Sequence, residues 1–235
     1  MAIEEFVQRT ITKSGDWIPL SVVPLETAHL QFWQERIQPV IRSLGPSRRV
    51  DWDWNWFTIT SFSRVTGTTF RQQPAAYAII HHDPATQRDM VCGLVQLARR
   101  FLYLPDLALK ETCRSAGFLW TCSTAPTEEL QQFFYDDFIP KRLAQLCIHI
   151  AVTCAYQDRH GGRICLHAHP DAPKNAQGLD LLLEFYRNGP VSMSQLDPNI
   201  EIPGLRGLLA PNDGRYFYYS EWQAMKFVEQ FQGYR

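Results

Sequence analysis

Between Gly161 and Arg187 the hydrophobic pattern changes twice, and no other segment constrains the fold as much. Gly161-Gly162 marks a turn. Ile164-Cys165-Leu166-His167-Ala168 follows as a strand buried on both faces, then a polar loop. Gly178 to Arg187 reads as an amphipathic helix carrying Leu181-Leu182-Leu183-Glu184-Phe185-Tyr186, closed by Asn188-Gly189. Upstream, Leu143, Leu146, Cys147, Ile150, Ala151 and Cys154 recur on one helical face, predicting a helix to about Tyr156. The order is therefore helix, strand, helix, in a chain otherwise rich in strand signals.

Those signals are clearest in the middle of the chain. Ala75 to Ile80 and Met90 to Leu97 are apolar runs joined by the polar connection His81 to Asp89, which contains an Asp-Pro turn signal. The spacing predicts a β-hairpin, with Phe101 to Leu104 extending its second arm. Phe118 to Thr124 is a further strand, ended by Pro126. On the N-terminal side, Trp17 to Val23 reads as extended. Leu30, Phe32, Trp33, Ile37, Val40, Ile41 and Leu44 predict a helix that Gly45-Pro46 stops. Asp51-Trp52-Asp53-Trp54-Asn55-Trp56-Phe57 fits either a strand or the lead-in to a helix through Val65. Glu128 to Tyr135 reads as a short helix. Asn212-Asp213-Gly214-Arg215 reads as a turn anchoring Tyr216 to Tyr219 and a last amphipathic helix.

Composition excludes several classes. With 45% hydrophobic and 20% charged residues the chain is an ordinary globular protein rather than a disordered one. A net charge of -1 supplies no global basic field for a phosphate backbone. Glu4, Glu5 and Gln8 interrupt any leader-like pattern after Met1, and no uncharged apolar run approaches about 18 residues. The expectation is a cytoplasmic protein with no membrane span. The six cysteines form no C-x-x-C pair and most sit in apolar stretches, so they read as buried free thiols.

Gly93 in the second hairpin strand, together with Gly162-Arg163-Ile164-Cys165-Leu166-His167-Ala168 and Phe185-Tyr186, resembles the GNAT superfamily of acyl-CoA-dependent N-acetyltransferases over roughly residues 75 to 190. The resemblance implies an α/β (α+β) fold with a mixed, mostly antiparallel central sheet flanked by helices. It implies one domain over 1–235: an N-terminal helical part at 1–70, an acyl-CoA-binding core at 75–190, and an aromatic strand and helix extension at 191–235. The cofactor implied is acetyl-CoA as co-substrate, lying in a V-shaped opening between strands 118–124 and 163–168, with no metal.

The resemblance also assigns residues. Cys122, Ser123 and Thr124 would offer backbone groups to the pantetheine arm. Lys141, Arg142, Leu143 and Ala144 would meet the pyrophosphate at a helix N-terminus, where amide groups and the helix dipole favour anions. Ala144 matches the family's last loop position, whereas Arg142 stands where relatives have glycine. Lys141 and Arg142 either bind phosphate by charge or form a solvated basic turn. Tyr186 is the implied catalytic residue, protonating the leaving thiolate. The strand lacks the usual carboxylate, which leaves Glu128, Glu129, His167 or water as general base.

The implied activity is acetyl transfer to a small-molecule or protein amine by direct attack. Two alternatives stay open: a catalytically inactive module for binding or assembly, and an acetyltransferase toxin acting on aminoacyl-tRNA, the one nucleic-acid partner left open. A homodimer is compatible with the sequence. His81-His82-Asp83 and His167-x-His169-x-Asp171 have metal-like spacing but no evident further ligand. Cys165 is too apolar in context for a reactive thiolate. The Trp52, Trp54 and Trp56 cluster reads as core beneath the N-terminal helix rather than as an acceptor pocket.

Overall fold

The hairpin forms at the predicted place and runs longer than the apolar runs alone imply: β3 (Pro74–Asp83) pairs antiparallel with β4 (Arg88–Leu102). Gly93 lies where three strands crowd together. A Cβ there would stand 3.1 Å from Ile79 Cδ1 and 3.2 Å from the Ser123 carbonyl oxygen, so a side chain would force the strands apart. In this computed structural model residues 6–11, 17–83, 87–109, 112–132, 140, 142–202 and 211–230 are described. Among them β1 (Phe6–Ile11), β2 (Trp17–Pro24), β5 (Ser115–Thr124), β6 (Ile164–His167), β7 (Ser194–Gln195) and β8 (Tyr216–Tyr219) complete a mixed sheet of eight strands. Its order is β1-β2-β3-β4-β5-β6-β8-β7. Every adjacent pair is antiparallel except β5 with β6.

The helix predicted from Glu26 to Leu44 is continuous but uneven. α1 (Thr27–Phe32) and α2 (Gln38–Leu44) are joined by a wider π turn at Trp33–Ile37. Pro39 lacks the amide proton that a regular helix needs from it, and the turn before it relaxes. Trp33, Ile37 and Ile41 are fully buried along one face. Gly45, at φ 71°, ends α2. The tryptophan run resolves as a lead-in: Asn55 caps α3 (Trp56–Thr69), its Oδ1 accepting from the Thr58 amide at 3.1 Å. The short helix after β5 is a single turn, α4 (Thr127–Leu130); most of the remainder of the predicted segment, 133–135, lies outside the described residues.

α5 (Leu143–Gln157) crosses between the parallel strands β5 and β6, and most of its residues are buried. Gly117 lets it approach β5, with Ala155 Cβ 3.7 Å from where a Cβ would sit. The Gly162-Arg163 pair has a structural role. Gly162 turns the chain at φ 78° against Tyr156, and Arg163 donates to the Ser115 carbonyl at 3.0 Å and to Glu221. Glu221 opens the last helix, α7 (Glu221–Gln230), so Arg163 joins β5, β6 and α7. α6 (Leu181–Arg187) is shorter than the sequence pattern, because Asp180 caps it. Two apolar clusters lie on opposite faces of the sheet: a large one shared with α5, and a smaller one around Phe101, Phe118, Cys165 and Tyr216.

Candidate functional site

The parallel strands hold register over only three residue pairs: Gly117 with Ile164, Phe118 with Cys165, and Leu119 with Leu166. Beyond Leu119, β5 continues to Thr124 paired with β4 alone, while β6, whose other edge pairs with β8 from Ile164 to His167, ends at His167. The sheet therefore opens beyond Leu119, and two adjoining cavities lie there, only the first of them lined by both strands. One, of about 220 Å³, is lined by Trp54, Phe118, Trp120, His167, His169 and Tyr216. The other, of about 300 Å³, is lined by Arg48, Arg49, Ser123, Thr124, Ala144 and Ile148. Val50, Cys122, Leu182 and Tyr186 stand in the walls of both.

Tyr186 reaches this junction through a built support. The Asp180 carboxylate accepts from the Leu182 and Leu183 amides at 3.0 Å each, starting α6. The same carboxylate is paired with Arg215 at 2.7 Å, with both side chains largely buried. Arg215 also donates to the Ala168 carbonyl at 2.9 Å and to the His169 carbonyl. One guanidinium thus fastens the end of β6, the start of β8 and the cap of α6 together. The Tyr186 ring packs on Phe217, with centroids 5.3 Å apart. Burial, with the Cys122 and Cys147 thiols alongside, holds its hydroxyl well above the ordinary tyrosine value, so it stays protonated and can donate.

In the aromatic cavity His167 Nε2 lies 3.0 Å from Asp213 Oδ1 and 3.2 Å from Oδ2. A carboxylate only accepts, so in the neutral ring Nε2 carries the proton and Nδ1 keeps its lone pair. His169 Nδ1 accepts from the Asp171 amide at 3.2 Å, which makes its neutral ring a donor at Nε2. Burial pushes the His169 pKa down, keeping it neutral. Two histidines in one cavity therefore have opposite hydrogen-bonding roles. Among the described residues no three His, Cys, Asp or Glu side chains cluster as metal ligands.

The second cavity is shaped by the loop before α3. Asp51, almost fully buried, pairs with Arg49 at 2.7 Å and accepts from the Ser123 hydroxyl. Arg49 donates to the Thr124 carbonyl at 2.9 Å. Of the three strand residues expected to serve pantetheine, Cys122 faces both cavities, whereas the Ser123 hydroxyl and Thr124 carbonyl already have protein partners. At the helix start Ala144 lines this cavity and Leu143 is buried. Arg142, left-handed at φ 62°, lines a separate hollow with Gln145 and Ser192. Lys141 lies outside the described residues.

Of the candidate bases, Glu129 is buried with a pKa raised by that burial, and neither it nor Glu128 appears in either cavity wall; His167 does. Cys165 is fully buried, its pKa pushed up to about 12 by desolvation, so it remains a thiol. The tryptophans divide: Trp56 is core, packed edge-on to Trp33 at 6.4 Å, while Trp54 lines the aromatic cavity beside His169. Sequence reasoning read 212–215 as an anchoring turn and missed that Asp213 and Arg215 build the site. It also missed Asp180, although an Asp directly before Leu181-Leu182-Leu183-Glu184 is a cap signal.

The fold and site together define a mixed α/β sheet opened at its parallel pair, with a tyrosine between two chemically distinct cavities. No protein-family model matches the chain, and no curated protein matches it. Among solved structures it is similar to a GNAT-family acetyltransferase from Staphylococcus aureus Mu50, at 12% identity and TM-score 0.45 over 85% of this chain and 97% of that one. It is similar to Mycobacterium smegmatis RimJ in complex with CoA-disulfide, at 11% identity and TM-score 0.42 over 95% and 93%. It is also similar to a mutant AtaT toxin bound to the C-terminus of the antitoxin AtaR and acetyl-CoA, at 8% identity and TM-score 0.39 over 71% and 80%.

Proposed function

We propose that this protein is a divergent acyl-CoA-dependent N-acyltransferase, with acetyl-CoA as donor and an amine as acceptor. The observation that carries this reading is the parting of β5 and β6 after three pairs, with Tyr186 in the wall shared by the cavity at the gap and the one adjoining it. A two-substrate transfer needs such a junction: the donor enters from one side, the acceptor from the other, and the thioester sits between them.

The donor occupies the side of Arg48, Ser123 and Ala144. Cys122, in the wall of both cavities, offers backbone groups to its amides, and Arg48 offers charge to its phosphates. The acceptor occupies the aromatic side. His167, held by Asp213, takes a proton from the incoming ammonium at Nδ1. The freed nitrogen attacks the thioester carbon, the His169 Nε2–H stabilises charge growing on the carbonyl oxygen, and the C–S bond breaks as the C–N bond forms. Tyr186 gives its hydroxyl proton to the departing thiolate and recovers one from the amide nitrogen or solvent. No covalent enzyme intermediate is needed.

One observation favours the non-catalytic alternative: the Ser123 hydroxyl and Thr124 carbonyl are engaged by Asp51 and Arg49 rather than free. Calorimetric titration with acetyl-CoA separates the two, since the enzyme binds the donor and the inert module does not. For the chemistry, Tyr186→Phe is expected to lower turnover about 100-fold, in the range of one lost proton donor, with little change in acetyl-CoA affinity. Unchanged turnover removes Tyr186 from the mechanism.

A further inference from the structure

The aromatic cavity is specific about what can sit in it. Its rings come from four separate parts of the chain: Trp54 before α3, Phe118 and Trp120 on β5, His167 and His169 at the end of β6, and Tyr216 on β8. Phe118 and Trp120 are a tilted pair 4.7 Å apart on one side, and His167 and Tyr216 are a pair 4.4 Å apart on the other. Trp54 leans on His169 at 6.1 Å. Phe118 and Tyr216 are buried by their neighbours, whereas Trp54 and Trp120 keep part of their surface for a ligand. No Asp, Glu, Lys or Arg stands in this wall among the described residues.

We infer that the acceptor is an amine carried on a single aromatic ring by a short linker, an arylalkylamine rather than a polyamine or an aminosugar. The identity of this acceptor rests on the acyltransferase reading; the preference of the cavity for such a molecule does not. The ring faces attract both the aryl group and the ammonium, which they hold by cation–π contact until His167 removes its proton. A second ammonium, as in a polyamine, finds no carboxylate in the wall itself, where Asp213 behind His167 is already engaged by that ring, and is desolvated with little return. Many hydroxyls, as in a sugar, would likewise outnumber the polar partners. Size agrees: a cavity of about 150 Å³ takes one benzene ring, so the 220 Å³ here leaves room for a ring and a short tail. His169, kept neutral by burial, adds no positive charge to oppose the ammonium.

The test is equilibrium binding to the full chain, by calorimetry with and without CoA, using 2-phenylethylamine, n-hexylamine and spermidine as probes. The expected result is that 2-phenylethylamine binds about tenfold or more tightly than either other amine. Trp120→Leu and Trp54→Leu should each reduce that preference to about threefold or less, with circular dichroism confirming the fold. Trp54 stands on a loop, so its variant reports even where Trp120→Leu does not fold. Equal binding of n-hexylamine, tighter binding of spermidine, or no binding of any of the three overturns the inference. The acyltransferase reading fails separately: the ring preference appears, yet acetyl-CoA neither binds nor releases CoA in the presence of 2-phenylethylamine.

Discussion

The two cavities near the opened strand pair share Tyr186 but are built by contrasting means. In one the wall is mostly rings brought from loops and strands far apart in sequence, with two oppositely wired histidines beside the Tyr186, Tyr216 and Thr121 hydroxyls. In the other a short loop, 48–51, folds over the end of β5, fixed there by the Arg49, Asp51 and Ser123 network, and faces residues of α5 and α6. On the proposed reading the first takes a flat, singly charged guest and the second an extended anionic one. Function at such a junction depends less on either wall than on the part they share.

The strongest way to break the comparison is therefore to loosen the shared wall. Arg215→Ala leaves Asp180 with no counter-charge in a largely buried place and frees the ends of β6 and α6. Removing one partner of such a pair costs about 3 kcal/mol, so thermal unfolding should show a drop of several degrees, and both ligands should bind more weakly. A change confined to one ligand would mean that the cavities are independent.

A narrower change tests the acceptor side alone. Asp213→Asn keeps the shape but lets the other His167 tautomer form, so turnover should fall about tenfold to 100-fold while acetyl-CoA binding stays as it was. Steady-state kinetics with donor and acceptor varied in turn would read this. The mirror experiment is Arg48→Ala, expected to raise the KM for acetyl-CoA by about tenfold or less, as for one exposed charge facing phosphate, with turnover at saturating donor preserved. An unchanged KM would remove Arg48 from the donor site.

The smallest effect concerns pH. Burial disfavours the His169 imidazolium first, His167 and Arg215 add to that, and Asp171 and Asp53 oppose it, so its folded pKa lies below the ordinary 6.5. The unfolded chain therefore takes up the proton first as pH falls. Stability from this group is complete above about 6.5 and is lost as pH drops from there through the folded value. Melting temperatures from pH 8 to 5 should decline on the acid side, and less steeply in His169→Gln.

Much of this architecture is legible in the sequence because it follows from local pattern. The β3–β4 hairpin, the face of α5, the Gly162 turn and the Ile164–Ala168 strand each declare themselves through periodicity or a glycine. Tyr186 is singled out only through the resemblance that Phe185-Tyr186 carries, since a Phe-Tyr pair at a helix end is by local pattern ordinary core packing. The site around it is not legible. Asp213 and His167, or Arg215 and Asp180, are joined only when β8 inserts beside β6, and nothing local to a four-residue aromatic strand announces its neighbour. Trp54 and Trp56 are a case in miniature, since the same alternating run sends one ring into the core and the other into a cavity.

The sequence by itself determined the central succession of strands and helices and the free thiols of the core, because these depend on side chains spaced a few positions apart, whereas β1 and β7 were not foreseen. Only the tertiary structure decided where the parallel strands part, which histidine has a carboxylate behind it, and what walls each cavity presents. Those outcomes depend on strand order and on charges paired across long loops, and their energies arise only when distant segments exclude water from one another.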